Sequence, residues 1–476
     1  MTSVADAYRA ALPGEVEQFP ISGLDRLGVP AWNATAHGPP AVGGTGYGGT
    51  DDEALAGTYG ELTEEYRSWL TLHAAPRRQA SYAELLRERG PDGVQDPRTL
   101  SLPAGAAWDE DRPLRWLPAR RLRDGAEVLV PAELVASNPH DLPGDPPPGG
   151  WLTVPVTNGL GAGLDPDRAL AHALLEILQR DGDGLTFRAL DRGVVLDLDG
   201  LGDPVALDVL ARLRAAGVEP LVKLAATAFG IPVVHAVGAA PDDGILAATA
   251  CGEAAHPDRE LAVRKALLEF AAARARKLFT HGPLDAVARV APPGYLDRAV
   301  AAVDLEAEEG RVLDAMVAWL RDPEGPREAL EGTVFSRRST ARLADLPTAG
   351  GEPLPLVLDR LAADGLDVLV ADLSGDGVHA VKALVPGLDV ETVAYGRIGE
   401  RGVRRARELA PDLVGVGPPP PGGLRVHLPP EAEERLGGAA WLDPAAVERV
   451  VDGLLPLYRE PGRHAAQVAL ARGAVR

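Results

Sequence analysis

The chain has 476 residues, 46% of them hydrophobic but only 4% aromatic, and a formal net charge of −21. That composition belongs to a soluble globular protein with a core of Leu, Val and Ala, and the charge excludes sequence-independent binding to nucleic acid or an anionic membrane, both of which need a basic surface. The single cysteine, Cys251, excludes an intramolecular disulfide and any cysteine-cluster metal site.

In chain order, short strands alternate with helices, which predicts an α/β protein. Residues 51–70 carry helical periodicity behind a Thr50/Asp51 cap, with Glu53 as a first-turn acid. A short helix over 80–90 stops at Gly90, and strands follow at 114–118 and 126–131. A Pro/Gly break at 143–150 separates the first part from the second. The second part opens with a strand at 151–156, then a glycine turn, Asn158 to Gly163, then a helix capped by Asp165 with Pro166 at its first position. Strands at 194–198 and 219–224 flank a helix over 204–216. A strand pair at 231–237 and 244–249 precedes a helix over 257–277. A long helix is predicted over 299–321 and a β-pair over 368–373 and 378–384. After Pro386-Gly387 the sequence turns charged and Pro-rich, with a break at 417–422 and a helical pattern over 444–459, and reads as a C-terminal extension. Nothing at the start resembles a signal peptide and no run of about 18 apolar residues occurs, so a cytoplasmic protein is expected.

One arrangement occurs three times: a turn-rich segment, then an amphipathic helix with acid or amide side chains one turn apart. Gly44 to Thr50 leads to Glu61 and Glu64; Asn158 to Gly163 leads to Glu176, Gln179 and Arg180; Ala255 to Asp258 leads to Lys265 and Glu269. Positions i, i+3 and i+4 share a helix face, so three such faces are expected to meet at one cavity and surround a polyanion with its metal ions. Ala-Leu-Leu-Glu stands at 173–176 and again at 266–269, a short match of weak weight alone.

Simpler explanations compete. An acidic pair on an exposed helix is usually a solvated face. Gly44 to Gly49 fits G-x-G-x-x-G, but the residues before it make a poor strand, against a dinucleotide fold. His172 lies four residues before Glu176 without a third ligand at a recognisable spacing, and Cys251 reads as a packing residue.

Taken in order, these segments resemble the YcaO family of ATP-dependent peptide-backbone-modifying enzymes over residues 28–395. Gly28-Val-Pro-Ala-Trp with Gly46-Tyr-Gly-Gly-Thr and the helix to Glu64 resembles the first nucleotide motif, and Trp116 to Pro131 the connecting segment. Asn158 to Asp181 is similar to the Asn-Gly-x-x-x-Gly and Glu-x-x-Glu-Arg-Asp pattern, Gly252 to Arg274 to the third motif, and Val385-Pro-Gly-Leu388 to the terminal Pro-Gly-Leu. The sequence departs from the pattern at Tyr47 (usually lysine), Glu65 (arginine), Gln179 (glutamate), Lys265 (arginine) and Ala272 (glutamine).

The resemblance implies a YcaO-type fold with mixed β-sheets and helices converging on a nucleotide site, residues 28–395 as the catalytic domain, 1–27 as an N-terminal segment and 396–476 as a helical C-terminal extension. It implies ATP and Mg²⁺ as cofactors, with Asn158, Glu176, Gln179, Arg180, Lys265 and Glu269 on the nucleotide and Glu61, Glu64, Glu176 and Glu269 as metal ligands. The implied reaction activates a peptide amide of a ribosomal precursor peptide. Azoline-forming cyclodehydration is the first expectation, thioamide or macrolactamidine formation the second, and a degenerate, non-catalytic peptide-binding protein the alternative. A separate leader-peptide-binding protein and a homodimer are left open as further partners; no nucleic acid and no membrane are expected, and no catalytic residue is singled out. Restoring the carboxylate by Gln179→Glu is expected to alter metal or nucleotide affinity.

Overall fold

The computed structural model describes the chain except residues 1–2, 76–77, 145, 148–149 and 474–476, so the 143–150 break lies partly outside the described residues. The described strands form four sheets. Strands β1 (Glu15–Pro20), β2 (Ala31–His37) and β3 (Val42–Tyr47) form an antiparallel three-stranded sheet. A five-stranded sheet runs in the order 252–255, 233–239, 219–226, 194–197, 339–342, its last pair parallel. A six-stranded sheet orders 79–81, 113–121, 369–372, 379–384 and 160–163, with 127–131 paired to 113–121. The fourth, small sheet lies near the C-terminus.

The first three sheets each end in an edge strand that runs through a short turn into a long helix: β3 into the first polar helix, Asp51–Ala74; Leu160–Gly163 into the second, Pro166–Asp183; Gly252–Ala255 into the third, Arg259–His281. The starts are set by side-chain caps. Thr50 accepts from the Glu53 N–H, Asp165 from Asp167 and Arg168, and Asp258 from Glu260 and Leu261, which satisfies amides a helix start leaves orphaned.

Each helix lies directly on its strand because that strand carries a glycine at the crossing. A Cβ at Gly46 would stand 2.1 Å from Thr58 N, and one at Gly161 2.1 Å from Ala169 O; Gly252 is equally close to the third helix. Such distances forbid any side chain. Each helix also leans on the next unit, the first on strand 160–163, the second on strand 252–255 and the third on β3. The three units therefore close into a ring.

Several elements differ from expectation. Residues 151–156 form no strand, because the Leu152 and Thr153 amides donate to the Glu133 carboxylate instead of to a neighbouring strand and Pro155 has no N–H to offer. Ile245–Ala248 is a short helix, consistent with its Ala/Leu content, and the strand follows at 252–255. The helix expected over 299–321 breaks into Tyr295–Ala301 and Gly310–Arg321, with Asp304 accepting from Glu306 and Ala307 in the turn between. The pattern over 444–459 is helical only to Val451. The residues just before Gly44, a poor strand by composition, are the end of β2, the 38–41 connection and Val42 at the start of β3, while β2 itself, not among the expected elements, is the central strand with partners on both sides. The glycine string lies in an antiparallel strand, without the parallel crossover of a dinucleotide fold.

Residues 396–476 pack on the rest of the chain. Arg401 and Arg405 grip the buried Asp181 at the end of the second polar helix, Glu460 pairs with Lys277 at 3.2 Å on the third, and the His464 N–H donates to Thr280 O. Among the described residues no helix is long and apolar enough to cross a membrane.

Candidate functional site

The ring of helices surrounds a cavity of about 430 Å³ lined by Glu61, Glu64, Glu176 and Glu269, together with Arg180, Tyr47, Glu65, His172, Cys251 and Arg276. In each unit a strand-side amide orients the helix carboxylate: Thr45 N–H donates to Glu61 Oε2 at 3.2 Å, Gly159 N–H to Glu176 Oε2 at 3.0 Å and Glu253 N–H to Glu269 Oε2 at 3.2 Å. The repeated Ala-Leu-Leu-Glu segments occupy the same place on the second and third helices, each ending in the cavity carboxylate.

A second set of polar bonds crosses between units in the direction of the ring. Ala162 N–H donates to Glu64 Oε1 at 2.9 Å, Arg180 to Glu253 Oε2 at 3.1 Å, and the Tyr47 hydroxyl to Glu269 Oε2 at 3.3 Å. Arg180 also lies 4.0 Å from Glu176. The site is thereby tied at each of its three seams.

The carboxylates crowd one another. Burial, against the opposing bond from the Thr45 N–H, pushes the Glu61 carboxyl up to about 8, although solvent in the cavity reaches it. Burial, reinforced by Glu176 and Glu61, holds Glu64 well above the usual carboxylate range. Burial and Glu253 raise Glu269 to about 7, and burial and Asp141 raise Glu65 to about 7. Burial works against the charge of Arg180, but Glu253 and Glu176 outweigh it and keep the guanidinium charged. Burial and Lys265 push His172 down to about 4, which leaves a neutral imidazole at pH 7. A cavity with this many partly protonated carboxyls is short of positive charge, and a divalent cation would ionise them.

The donor set fits Mg²⁺ with a polyphosphate. Among the described residues no three His, Cys, Asp or Glu side chains stand close enough together to hold a metal on their own. Mg²⁺ does not need such a cage, because it takes one or two carboxylates and fills its octahedron with phosphate oxygens and water. The volume lies within the range of small-ligand sites.

Of the residues singled out in the sequence, Glu61, Glu64, Glu176, Arg180 and Glu269 share the cavity and Asn158, Gln179 and Lys265 do not line it. The Asn158 amide donates to Val390 O and to Glu391 Oε1, pinning the glycine turn to the segment after Pro386-Gly387. Gln179 is half-buried on the second helix, with its side chain off the cavity wall. Lys265 stands one turn before Glu269, where burial pushes its amine down against the attraction of Glu269 and Glu176. Sequence reasoning missed Glu253 and Arg276. Arg276 follows Glu269 and Ala272 at helical spacing and was open to the same periodicity; Glu253 sits on a strand beside Gly252, and no local pattern marks it.

The family model described as YcaO cyclodehydratase, ATP- and Mg²⁺-binding, matches residues 45–389. An uncharacterized protein of Methanothermobacter thermautotrophicus is 31% identical over 394 residues, covering 80% of this chain and 91% of that protein. Among solved structures, a heterocyclase in complex with substrate and cofactor superposes with a TM-score of 0.63 at 20% identity, over 86% of this chain; the chain spans 55% of that heterocyclase's length. YcaO from Methanopyrus kandleri bound with AMPPCP and Mg²⁺ superposes with a TM-score of 0.55 at 20% identity, over 83% of this chain and 91% of that one. At that identity the likeness is one of fold.

Proposed function

Since the chain belongs to the YcaO family, we propose that it is an ATP- and Mg²⁺-dependent enzyme that modifies backbone amides of a ribosomally made peptide, with azoline-forming cyclodehydration as its reaction. The observation that carries this reading is the convergence on one cavity of four oriented glutamates from the three polar helices, Glu61 and Glu64 from the first, Glu176 from the second and Glu269 from the third, together with Arg180. ATP supplies the phosphoryl group that turns the amide oxygen into a leaving group. The protein's own part is to position and to neutralise charge. Glu176, anchored by the Gly159 amide of the glycine turn, and Glu269, anchored by the Glu253 strand amide, would present oxygen to Mg²⁺, with Glu61 and Glu64 completing the acidic wall. Arg180, held at the seam by Glu253 and 4.0 Å from Glu176, would face phosphate. Tyr47 offers a neutral donor where the family usually has lysine, and Glu65 adds a carboxyl where it usually has arginine.

A non-catalytic, peptide-binding role is the second reading, favoured by the charge changes at 47 and 65, both on the cavity wall. The deciding experiment incubates the protein with its precursor peptide, ATP and Mg²⁺ and follows phosphate release and peptide mass. Phosphate release with loss of one water, retained when the peptide's N-terminal amine is blocked and lost when its Ser, Thr and Cys are replaced by Ala, supports azoline formation; loss of one water that needs the free amine supports macrolactamidine formation. Exchange of oxygen for sulfur would replace both with thioamide formation, and ATP binding without phosphate release would favour the non-catalytic reading.

A further inference from the structure

We propose that a second, smaller cavity, behind the 156–160 segment, is a binding site for one halide-sized monovalent anion held between Lys382 and Arg397. It has a volume of about 20 Å³, room for one or at most two water-sized species and too little for phosphate or a nucleotide. Lys382 and Arg397 both line it, and both are buried, at 1% and 6% exposure. Lys382 Nζ donates to Val156 O, and Arg397 Nε donates to Ser101 O at 3.1 Å.

Neither cation has a carboxylate of its own among the described residues. The acids whose charge acts on Lys382 are Glu176, Asp141 and Glu64, none of which lines this cavity. Those acting on Arg397 are Glu391, which accepts from Asn158, and Asp389, which accepts from Ser101 Oγ and the Gly399 N–H. The one carboxylate on the wall, Glu133, accepts the Leu152 and Thr153 amides. Among the described residues Lys382, Arg397 and Glu133 are the ionisable side chains on the wall, so with all three ionised it carries two positive charges and one negative, a net charge that one monovalent anion cancels. Buried charge without a partner is costly. Burial pushes the Lys382 amine down to about 7 and Arg397 down to about 10, the response of cations that lack a counter-ion.

The two cavities share a wall. Val156 and Asn158 face the small one, Thr157 and Leu160 face the large one, and the intervening Gly159 N–H orients Glu176. An anion that keeps Lys382 charged strengthens its bond to Val156 O and so steadies the segment that places Glu176.

The test is a thermal melt without nucleotide, in bromide or chloride against gluconate at equal ionic strength, with a bromide-soaked crystal for the anomalous signal. Wild type should gain about 1–3 °C in halide, Lys382→Arg should keep the gain, Lys382→Met should lose it, and a bromide peak should lie between Nζ and the guanidinium. Equal midpoints in halide and gluconate, an equal gain in Lys382→Met, or no bromide in the cavity would overturn the assignment. If Lys382→Met does not fold, the wild-type melt and the bromide peak decide it. None of these readouts depends on ATP or peptide, so they stand apart from the proposed enzymatic function.

Discussion

The Tyr47 hydroxyl donates to Glu269 Oε2 at 3.3 Å, joining the strand of the first unit to the helix of the third. Burial first and then Glu269 hold the phenol well above its ordinary range, so the bond is made by a neutral donor. Tyr47→Phe should fold with a loss of about 1 kcal/mol in chemical denaturation. Tyr47→Lys, which places a cation among the carboxylates, should allow ATP to bind with less Mg²⁺. A Mg²⁺ titration of ATP binding in which Tyr47→Lys and wild type coincide would remove Tyr47 from the site.

Metal dependence is the sharpest test of the acidic wall. ATP should bind only with Mg²⁺, and Glu176→Gln or Glu269→Gln should each weaken Mg·ATP roughly tenfold or more, ~1.4 kcal/mol, as read by calorimetry. Equal affinity with and without Mg²⁺ would contradict the assignment.

Protons should leave when the metal arrives. Glu61 at about 8 and Glu269 at about 7 are largely protonated at pH 6, whereas a bound cation needs them ionised. Mg·ATP affinity should therefore rise from pH 6 to pH 8, with net proton release at pH 7 measurable by calorimetry in buffers of different ionisation enthalpy. Without ligand the sign reverses. Folded-state values above the unfolded ones mean that the native protein binds more protons between them, so stability falls as pH rises through that window and levels off above the folded values. An unliganded protein more stable at pH 8.5 than at pH 6 would speak against these shifts.

The position of Gln179 off the cavity wall changes the outcome expected from the sequence. Gln179→Glu should leave the Mg²⁺ titration nearly superimposable on wild type, with a stability change within about 0.5 kcal/mol. A marked change in Mg²⁺ dependence would show that the helix turns or its side chain swings inward when ligand binds.

Close helix–strand contact should be intolerant of any added atom. Gly46→Ala or Gly161→Ala places a methyl against helix backbone and should cost about 1–3 kcal/mol or more, seen as a lower denaturant midpoint. An unchanged midpoint would mean that the helix shifts freely on its strand.

What could be read from the sequence was local. The Thr50 and Asp165 caps fix where the first two helices begin, and helical spacing gives the faces that carry Glu61, Glu64, Glu176 and Glu269; the Asp258 cap of the third helix emerged only in the structure. The seams were not legible, because Ala162, Glu253 and Tyr47 meet their partners only through tertiary packing. Strand β2 escaped recognition because its Ala- and Asn-containing stretch has few β-branched residues and owes its conformation to the neighbours on either side. The strand expected at 151–156 failed for the opposite reason, since a distant carboxylate at Glu133 captured its amides.

Ring closure also makes the separation of the three units along the chain irrelevant to the site they build. What each unit must conserve is its own strand, glycine, cap and carboxylate, and the face it shows to its neighbour. The intervening residues supply the rest of the sheets at whose edges the unit strands sit, so it is in the loops between those strands that a circularly permuted chain should open and still rebuild the same cavity from a different starting residue.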